Sequence, residues 1–554
     1  MKMSFINRAL LLSLLGCISV VAQSSPPALR ITTSNGVSTV FWPLTAYEDV
    51  LQTTTDLSPA GTWTNLAMGD EIVSVITSLR FGGYIPYFAD VVGDEMAFSL
   101  LATNRQQFFR LRTPFVIPAS SFAIFYNGRL EFSQSPTMVM NGRVHANGSI
   151  YVGSSASQIF NAPVTTTSNL TAPFMDGLTS GWTPSDPNGW NATFNGTPAY
   201  ITNAASVGLP FPYSTNYHFL IDIPPADENP TSNVAMMRLY NQAQVVLIVT
   251  NTPNATNPTV RLTIQSSYNL QVPGADPYLI ILYYTNASPA FVKTNLPFLS
   301  VTNIFYDQRE RKTNFVTQID MGKFSSWVST NFIVQSKLPL AAGIYTTLFY
   351  VADRRNVSPI QLTAVRLMNG AQLPDNEGLG FSVATPNPLY IWGNYNVKSS
   401  SGTSTGTNNA YEVPAALFSD ALTILSPNWT DNASFLTYNN ANSVFDAADT
   451  TLNAAIITGT VPSTGTSGTT YSGGVHNLPR LLEDWSGKVL YLNTSIVRLW
   501  DSQMATNQFR NPQGFAPAPV NPYYNPPIRH FSFDLNFLNP AKIPPGIPMF
   551  EVVP

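Results

Sequence analysis

At 554 residues the chain is long enough for more than one domain, yet only 10% of it is Asp, Glu, Lys or Arg, against about 25% in ordinary globular proteins. A net charge of −4 excludes nucleic acid and anionic membrane as partners drawn by electrostatics. Asn, Thr, Ser, Gly, 44 Pro and 24 Tyr take the place of charge; they favour strands, turns and hydrogen-bonding surfaces over helices.

Residues 1–22 read as a signal peptide. Lys2 and Arg8 form a positive start, Ala9 to Val21 is nearly unbroken apolar sequence, and Val20 and Ala22 supply the small residues of a cleavage site. The run is too short to span a bilayer, which takes about 20 residues. A competing reading uses the only cysteine: Leu14-Leu15-Gly16-Cys17 is close to a lipoprotein box, which would anchor the chain through Cys17. Because the apolar stretch continues through Ile18-Ser19-Val20-Val21, soluble export is favoured. The expected location is therefore secreted or cell-surface. Cleavage after Ala22 leaves no cysteine for disulfides, thiolate metal sites or nucleophiles. No later segment reads as transmembrane.

Residues 23–115 read as a small β-sandwich. Ser38 to Pro43 is strand-like, Val50 to Leu57 runs to a turn at Ser58-Pro59-Ala60-Gly61 before Trp63, and Gln107 to Arg112 closes the segment. The opening LQTTTDLSPAGTW with the closing QQFFRLR resembles a small β-sandwich module appended to many bacterial exported proteins. That resemblance implies no catalytic residues. Arg110 and Arg112 form either a ligand patch or, as the alternation favours, a solvent face.

The remainder is expected to be β-rich: residues 116–385 as the start of a solenoid with inserted strands, and 386–554 as a parallel β-solenoid-like region with a C-terminal tail. An apolar residue at every second position around a central Gly or Thr occurs at Val144–Val152, Leu389–Val397, Ala455–Val461 and Leu490–Ile496, with a weaker copy at Ala421–Leu425. The later copies start at 389, 421, 455 and 490, a spacing of 32 to 35 residues that fits stacked repeats. Glycine at the shared position would let the chain bend between two short strands. An ordinary β-sandwich is the alternative. Gln244 to Thr250 and Tyr278 to Tyr284 read as buried strands and Met321 to Thr330 as a short helix. The stretches 402–409 and 462–474 read as Ser/Thr/Gly loops. The fold class expected overall is all-β.

In order, NGRVHANGSIYV, FYDQRERK, YVADRR, VRLMNG, ATPNPLYIWGNYN, VHNLPRLLEDW and YNPPIRHFSFD resemble a group of largely uncharacterised bacterial exported proteins, some described as associated with pilus assembly. The resemblance covers most of residues 120–550. It implies a surface-exposed β-rich scaffold and offers no catalytic residues to transfer.

The four histidines, His145, His218, His476 and His530, lie far apart without metal-ligand spacing. Stacking of the two Val-His motifs would bring His145 to His476, although rings bonded to turn backbone are favoured. Arg480, Glu483 and Asp484 beside Trp485 read as a short helix capping the solenoid, with Arg480 paired to Glu483 or Asp484. Carboxylates beside a tryptophan also resemble a sugar subsite. Here, and for Asp307-Arg309-Glu310 and Asp353-Arg354-Arg355, structural pairing is the favoured reading, with groups buried together and costly to break singly. No Gly-x-Ser-x-Gly elbow, phosphate loop, dinucleotide fingerprint or acidic Ca²⁺ loop occurs in the sequence. No catalytic, cofactor or metal residues are assigned. The expectation is a non-catalytic surface scaffold, adhesin or filament subunit, self-associating or binding surface glycan or protein. A carbohydrate-active enzyme or glycan-binding protein on a solenoid is the alternative. In a filament, the terminal PPGIPMFEVVP would dock as a strand on a neighbouring copy.

Overall fold

The computed structural model describes seven strands between residues 29 and 112, and residues 116–552 apart from 133–136, 154–156, 172–191, 210–216, 230–231, 252–257, 266–277, 284–295, 464–471, 510–522 and a few single positions. Two compact units divide the chain, Met1–Pro114 and Phe115–Pro554. Strands account for 42% of residues and helices for 14%, so the fold is strand-rich but not free of helix. No helix among the described residues is long and apolar enough to cross a membrane. The signal sequence, Cys17, the turn at 58–61 and Trp63 lie outside the described residues.

In the first unit, the strands bond in the order Arg30–Ser34, Val37–Pro43, Glu95–Leu101, Tyr87–Val92, Thr64–Gly69, Val50–Thr54 and Phe108–Arg112. The two sequence landmarks of this module are neighbours: Leu51 lies opposite Leu111 and Gln52 opposite Arg110, antiparallel. The side chains of Arg110 and Arg112 lie outside the described residues.

The second unit is organised by a twelve-stranded sheet. From one edge it runs Tyr200–Ile201, Val164–Thr166, Arg143–Ala146, Phe122–Tyr126, Ile496–Asp501, Ala455–Thr460, Ala415–Ser419, Phe381–Ala384, Leu348–Asp353 and Val245–Thr250, all parallel. Thr259–Ile264 and Tyr278–Tyr283 then close the other edge antiparallel. Chain order and spatial order differ. From Phe122 the chain steps outward to Ile201, resumes at the opposite edge and returns, until Ile496 lies beside Ile124.

Between visits to this sheet the chain supplies other sheets. Leu130–Glu131, Ile150–Tyr151 and Leu170–Thr171 form one parallel set; Met138–Met140, Gln158–Phe160 and Ala192–Phe194 form another. A six-stranded sheet runs Leu299–Asp307, Lys312–Asp320, Gln361–Met368, Pro388–Trp392, Ala421–Leu425, Arg480–Leu481, parallel after its first hairpin. Thr450–Asn453, Val489–Thr494 and Ile528–Phe533 form a third parallel set. One apolar core extends from Ile117 to Phe550.

The expected 32–35-residue register is corrected by these pairings. Leu389 does stack on Leu422, but the segments from Leu389, Ala455 and Leu490 lie in three different sheets. The reason is burial. Ala415–Ser419 and Ala421–Leu425 are buried at every position, as parallel strands covered on both faces are. Apolar alternation then no longer marks which sheet a strand joins. The bend at Gly148 is present between Ala146 and Ile150; a Cβ there would come within 2.8 Å of the Gly128 backbone in the neighbouring turn, so glycine is required by close approach.

The helix Met321–Thr330 forms as expected, capped by Asp320, whose Oδ1 accepts the Lys323 N–H at 3.0 Å, with Phe324 and Trp327 turned inward. The expected helix at 480–485 is absent: Arg480–Leu481 is a strand beside Thr423 and Ile424. The stretch 402–409 begins with a short hairpin, Gly402 and Thr403 pairing with Ser399 and Lys398; residues 464–471 lie outside the described residues. The tail forms a strand paired within the chain. Met549–Val552 pairs with Val116–Pro118 on one side and Val207–Gly208 on the other, and Phe550 is buried against Phe125 with rings 4.5 Å apart. Within one chain this strand already has both neighbours.

Candidate functional site

Apart from Arg354, which is exposed, and Arg355, which is half-buried, the charged residues singled out in the sequence are buried, and each cluster joins strands distant in the chain. Asp307 ends the strand Leu299–Asp307, where the chain turns back through Arg311 at φ +54°. Its Oδ1 accepts the N–H groups of Arg309 (2.8 Å) and Glu310 (2.9 Å), which satisfies the turn backbone. Its Oδ2 accepts the Tyr390 hydroxyl at 2.5 Å, and that hydroxyl accepts Asn314 Nδ2 at 2.9 Å. Arg480 pairs with Glu310 at 2.7 Å, not with Glu483 or Asp484, and gives a second N–H to the Ala505 carbonyl at 2.7 Å. Burial pushes Glu310 upward against the opposing pull of Arg480. Arg309, held below its usual value by burial and by Arg480, donates to Asn477 Oδ1 at 2.8 Å and to the Asn507 carbonyl.

Asp353 holds a second junction. Arg355 forks onto its carboxylate with Nε–Oδ1 3.0 Å and Nη2–Oδ2 2.5 Å, and Thr317 donates its hydroxyl at 2.8 Å. Asn387, one sheet position away, accepts the Asp353 N–H at 2.8 Å and donates to its carbonyl at 2.9 Å. Arg366 is fully buried between Phe305 and Trp392 and reaches Asp431 at 2.5 and 2.9 Å and Gln318 at 2.9 and 2.6 Å.

Glu483, like Asp307, has no paired cation among the described residues. Its two oxygens accept the Ser426 N–H and hydroxyl, both at 2.6 Å, and burial lifts its carboxyl to about 7 against those two bonds. It borders an open recess with Gln308, Trp429, Tyr438 and Phe445.

His145, His218 and His530 each have partners of their own. His145 bonds Thr165 Oγ1 (2.7 Å) and Asn147 Oδ1 (2.9 Å) and stacks on Phe125; burial holds it below its ordinary value. His530 stacks on Tyr491. The side chain of His476 lies outside the described residues. His218 carries a site that motif reading passed over. It lies 2.8 Å from Asp222 and 3.3 Å from Asp420. Burial alone would lower the imidazole, but the two carboxylates outweigh it and raise it to about 9. Asp420 also accepts the N–H groups of Met504 and Ala505 at 3.1 and 2.9 Å and that of Gln503. The His218–Asp222 spacing of four was the only signal in the sequence. Glu412 was missed as well: burial, and after it the Asp534 carboxyl, push it up to about 10, two acidic groups from segments with no common motif.

Among the described residues, no group of three or more His, Cys, Asp or Glu is placed to hold a metal ion. What these clusters do chemically is satisfy buried polar groups across strand junctions. Comparison with family models, curated proteins and solved structures finds no match.

Proposed function

We propose that this chain is an exported, non-catalytic structural or interaction protein, a surface scaffold, adhesin or appendage component, whose N-terminal β-sandwich module precedes a parallel β-solenoid. The observation that carries this reading is the use of the charged clusters. Asp307, Glu310, Arg480, Asp353 and Arg366 are each engaged in joining one strand or loop to another. Stacked coils are supported by parallel pairing at a fixed twenty-residue step, Ile124 to Val144 to Val164 and Leu130 to Ile150 to Leu170. Like residues meet across coils: Asn195 donates to Asn161 and Asn161 to Asn141, each at 2.8 Å, and Phe160 stacks on Phe194 at 4.9 Å. Such ladders recur where identical rungs stack. The N-terminal residues support export.

The test uses the full chain expressed in a bacterium with its own leader. The purified exported protein is assayed for reducing-sugar release on a panel of polysaccharides and for binding on glycan and protein arrays. Binding or assembly without release of sugar ends is expected. Catalytic release of reducing ends would overturn the reading in favour of a carbohydrate-active enzyme.

A further inference from the structure

Residues 426–447 fold back over the end of the six-stranded sheet and carry a small apolar cluster of their own, Ala433, Tyr438 and Phe445, separate from the main core. Tyr438 and Phe445 lie with ring centroids 5.1 Å apart. Together with Trp429 and Glu483 they border a recess whose free space is about 10 Å³, room for one water-sized group. Nearby on the same segment, Phe435, Leu436 and Val444 are exposed by 48%, 49% and 39%.

Three features of this recess select a ligand. First, Glu483 is a buried carboxyl bonded only to neutral Ser426 donors, whereas Glu310, Asp353, Asp431 and Glu228 each have an arginine within 2.7 Å. A buried carboxylate without a cation is costly and gains most from one. Second, the Tyr438 hydroxyl is buried without a hydrogen-bond partner, which leaves an acceptor unused. Third, Trp429 spends its indole N–H on Asp431 at 2.9 Å, so it offers the recess an aromatic wall. Asp446 and Asp484 act electrostatically on Tyr438, so the wider surroundings are acidic.

We propose that this recess receives a primary alkylammonium group, its N–H donors on Glu483 and Tyr438, its methylenes against Trp429, Phe445 and the exposed apolar residues. An ammonium head is the size of a water molecule, brings a positive charge to Glu483 beside its two Ser426 bonds and supplies the donor that the Tyr438 hydroxyl lacks; aromatic walls favour a cation further. A quaternary ammonium has no N–H to give to Glu483 or Tyr438. This site stands apart from the scaffold reading and holds whichever way that is decided.

The experiment titrates n-butylammonium into the full chain by calorimetry and saturation-transfer NMR, beside n-butanol and tetramethylammonium. Binding at least about tenfold tighter than either comparator is expected, as one charged contact supplies. Glu483 ionises near 7, so affinity should fall about thirtyfold from pH 8.5 to pH 5.5, while the ligand stays charged throughout. Glu483→Gln, which can keep a bond to Ser426, should abolish the charge preference, and Tyr438→Phe should weaken binding severalfold. Nα-acetyl-lysine N-methylamide separates the sources: comparable or tighter binding assigns the site to a lysine side chain of a peptide, weaker binding to a free amine. Equal binding of n-butanol, or n-butylammonium affinity unchanged in Glu483→Gln, would reduce the recess to a water site and overturn the proposal.

Discussion

Between Phe122 and Thr166 the chain returns to the long sheet every twenty residues, whereas from Leu348 to Asp501 each return takes 34 to 40. The two regions solve the same packing problem by different means. In the short-step region consecutive rungs are alike, so neutral contacts between like residues suffice, as where Asn161 donates to Asn141 twenty residues away; the ladder and the Phe160–Phe194 stack then continue across one step of 34 residues. In the long-step region the extra residues leave the sheets as loops with no equivalent one rung away. Those loops are fixed by unlike partners, Arg366 to Asp431, Arg480 to Glu310, and Ser426 to Glu483. Regular stacking distributes stability over many weak contacts. Irregular stacking concentrates it in a few buried polar junctions.

The largest effect expected from this contrast is at Glu310. Glu310→Gln leaves the buried Arg480 without its counter-charge and should cost about 3–5 kcal/mol in urea unfolding. Pairing Glu310→Met with Arg480→Met should recover most of that loss, since the desolvation of both charges disappears. A single-variant cost below about 1 kcal/mol, the size of a surface pair, would erase the distinction between the two regions.

The second effect is a pH dependence of the long-step region and the segment docked on it, opposed in the short-step region by His145, which burial holds below its ordinary value. His218 has its folded value raised to about 9, above the ordinary 6.5 or so. Its contribution is therefore complete below about 6.5 and is lost as pH rises through 9. Glu483, raised to about 7, is most favourable while protonated in the fold, so stability falls as pH climbs from about 4.5 to 7. Both slopes have one sign. Stability should decline from pH 5 to pH 9 by roughly 3 kcal/mol per group at most, and His218→Gln should reduce the slope of the alkaline half, leaving there the contribution of Glu412, raised to about 10. A stability that rises across this range in chemical denaturation would contradict both assignments.

The smallest effect belongs to the short-step region. Asn161→Ala interrupts its ladder at an exposed position and should cost about 1 kcal/mol, measured by the same unfolding curve. A loss equal to that of Glu310→Gln would show that the neutral ladder is as concentrated a support as the ion pair.

How much of this was legible varies by residue. The strands Val245–Thr250 and Tyr278–Tyr283 and the helix Met321–Thr330 were readable because each carries its own apolar pattern and boundary residues. The glycine bend at Gly148 was readable because a short motif contained both flanking strands. Arg480 was misread as helical because spacing on a helix is a local argument, while its partner Glu310 lies 170 residues away. His218 and Asp420, separated by 202 residues, left no local trace beyond His218–Asp222.

The sequence by itself determined a strand-rich chain, poor in charge, with the location of several strands and of the charged groups. Those follow from composition and from patterns within ten residues. Tertiary structure alone decided the register of the parallel sheets, the placing of Ile496 beside Ile124, the docking of the tail between Val116–Pro118 and Val207–Gly208, and the partner of every buried charge. Strands buried on both faces carry no mark of which neighbour they join. Their order is settled only when distant segments close on one another, and the buried charges are then paired by position.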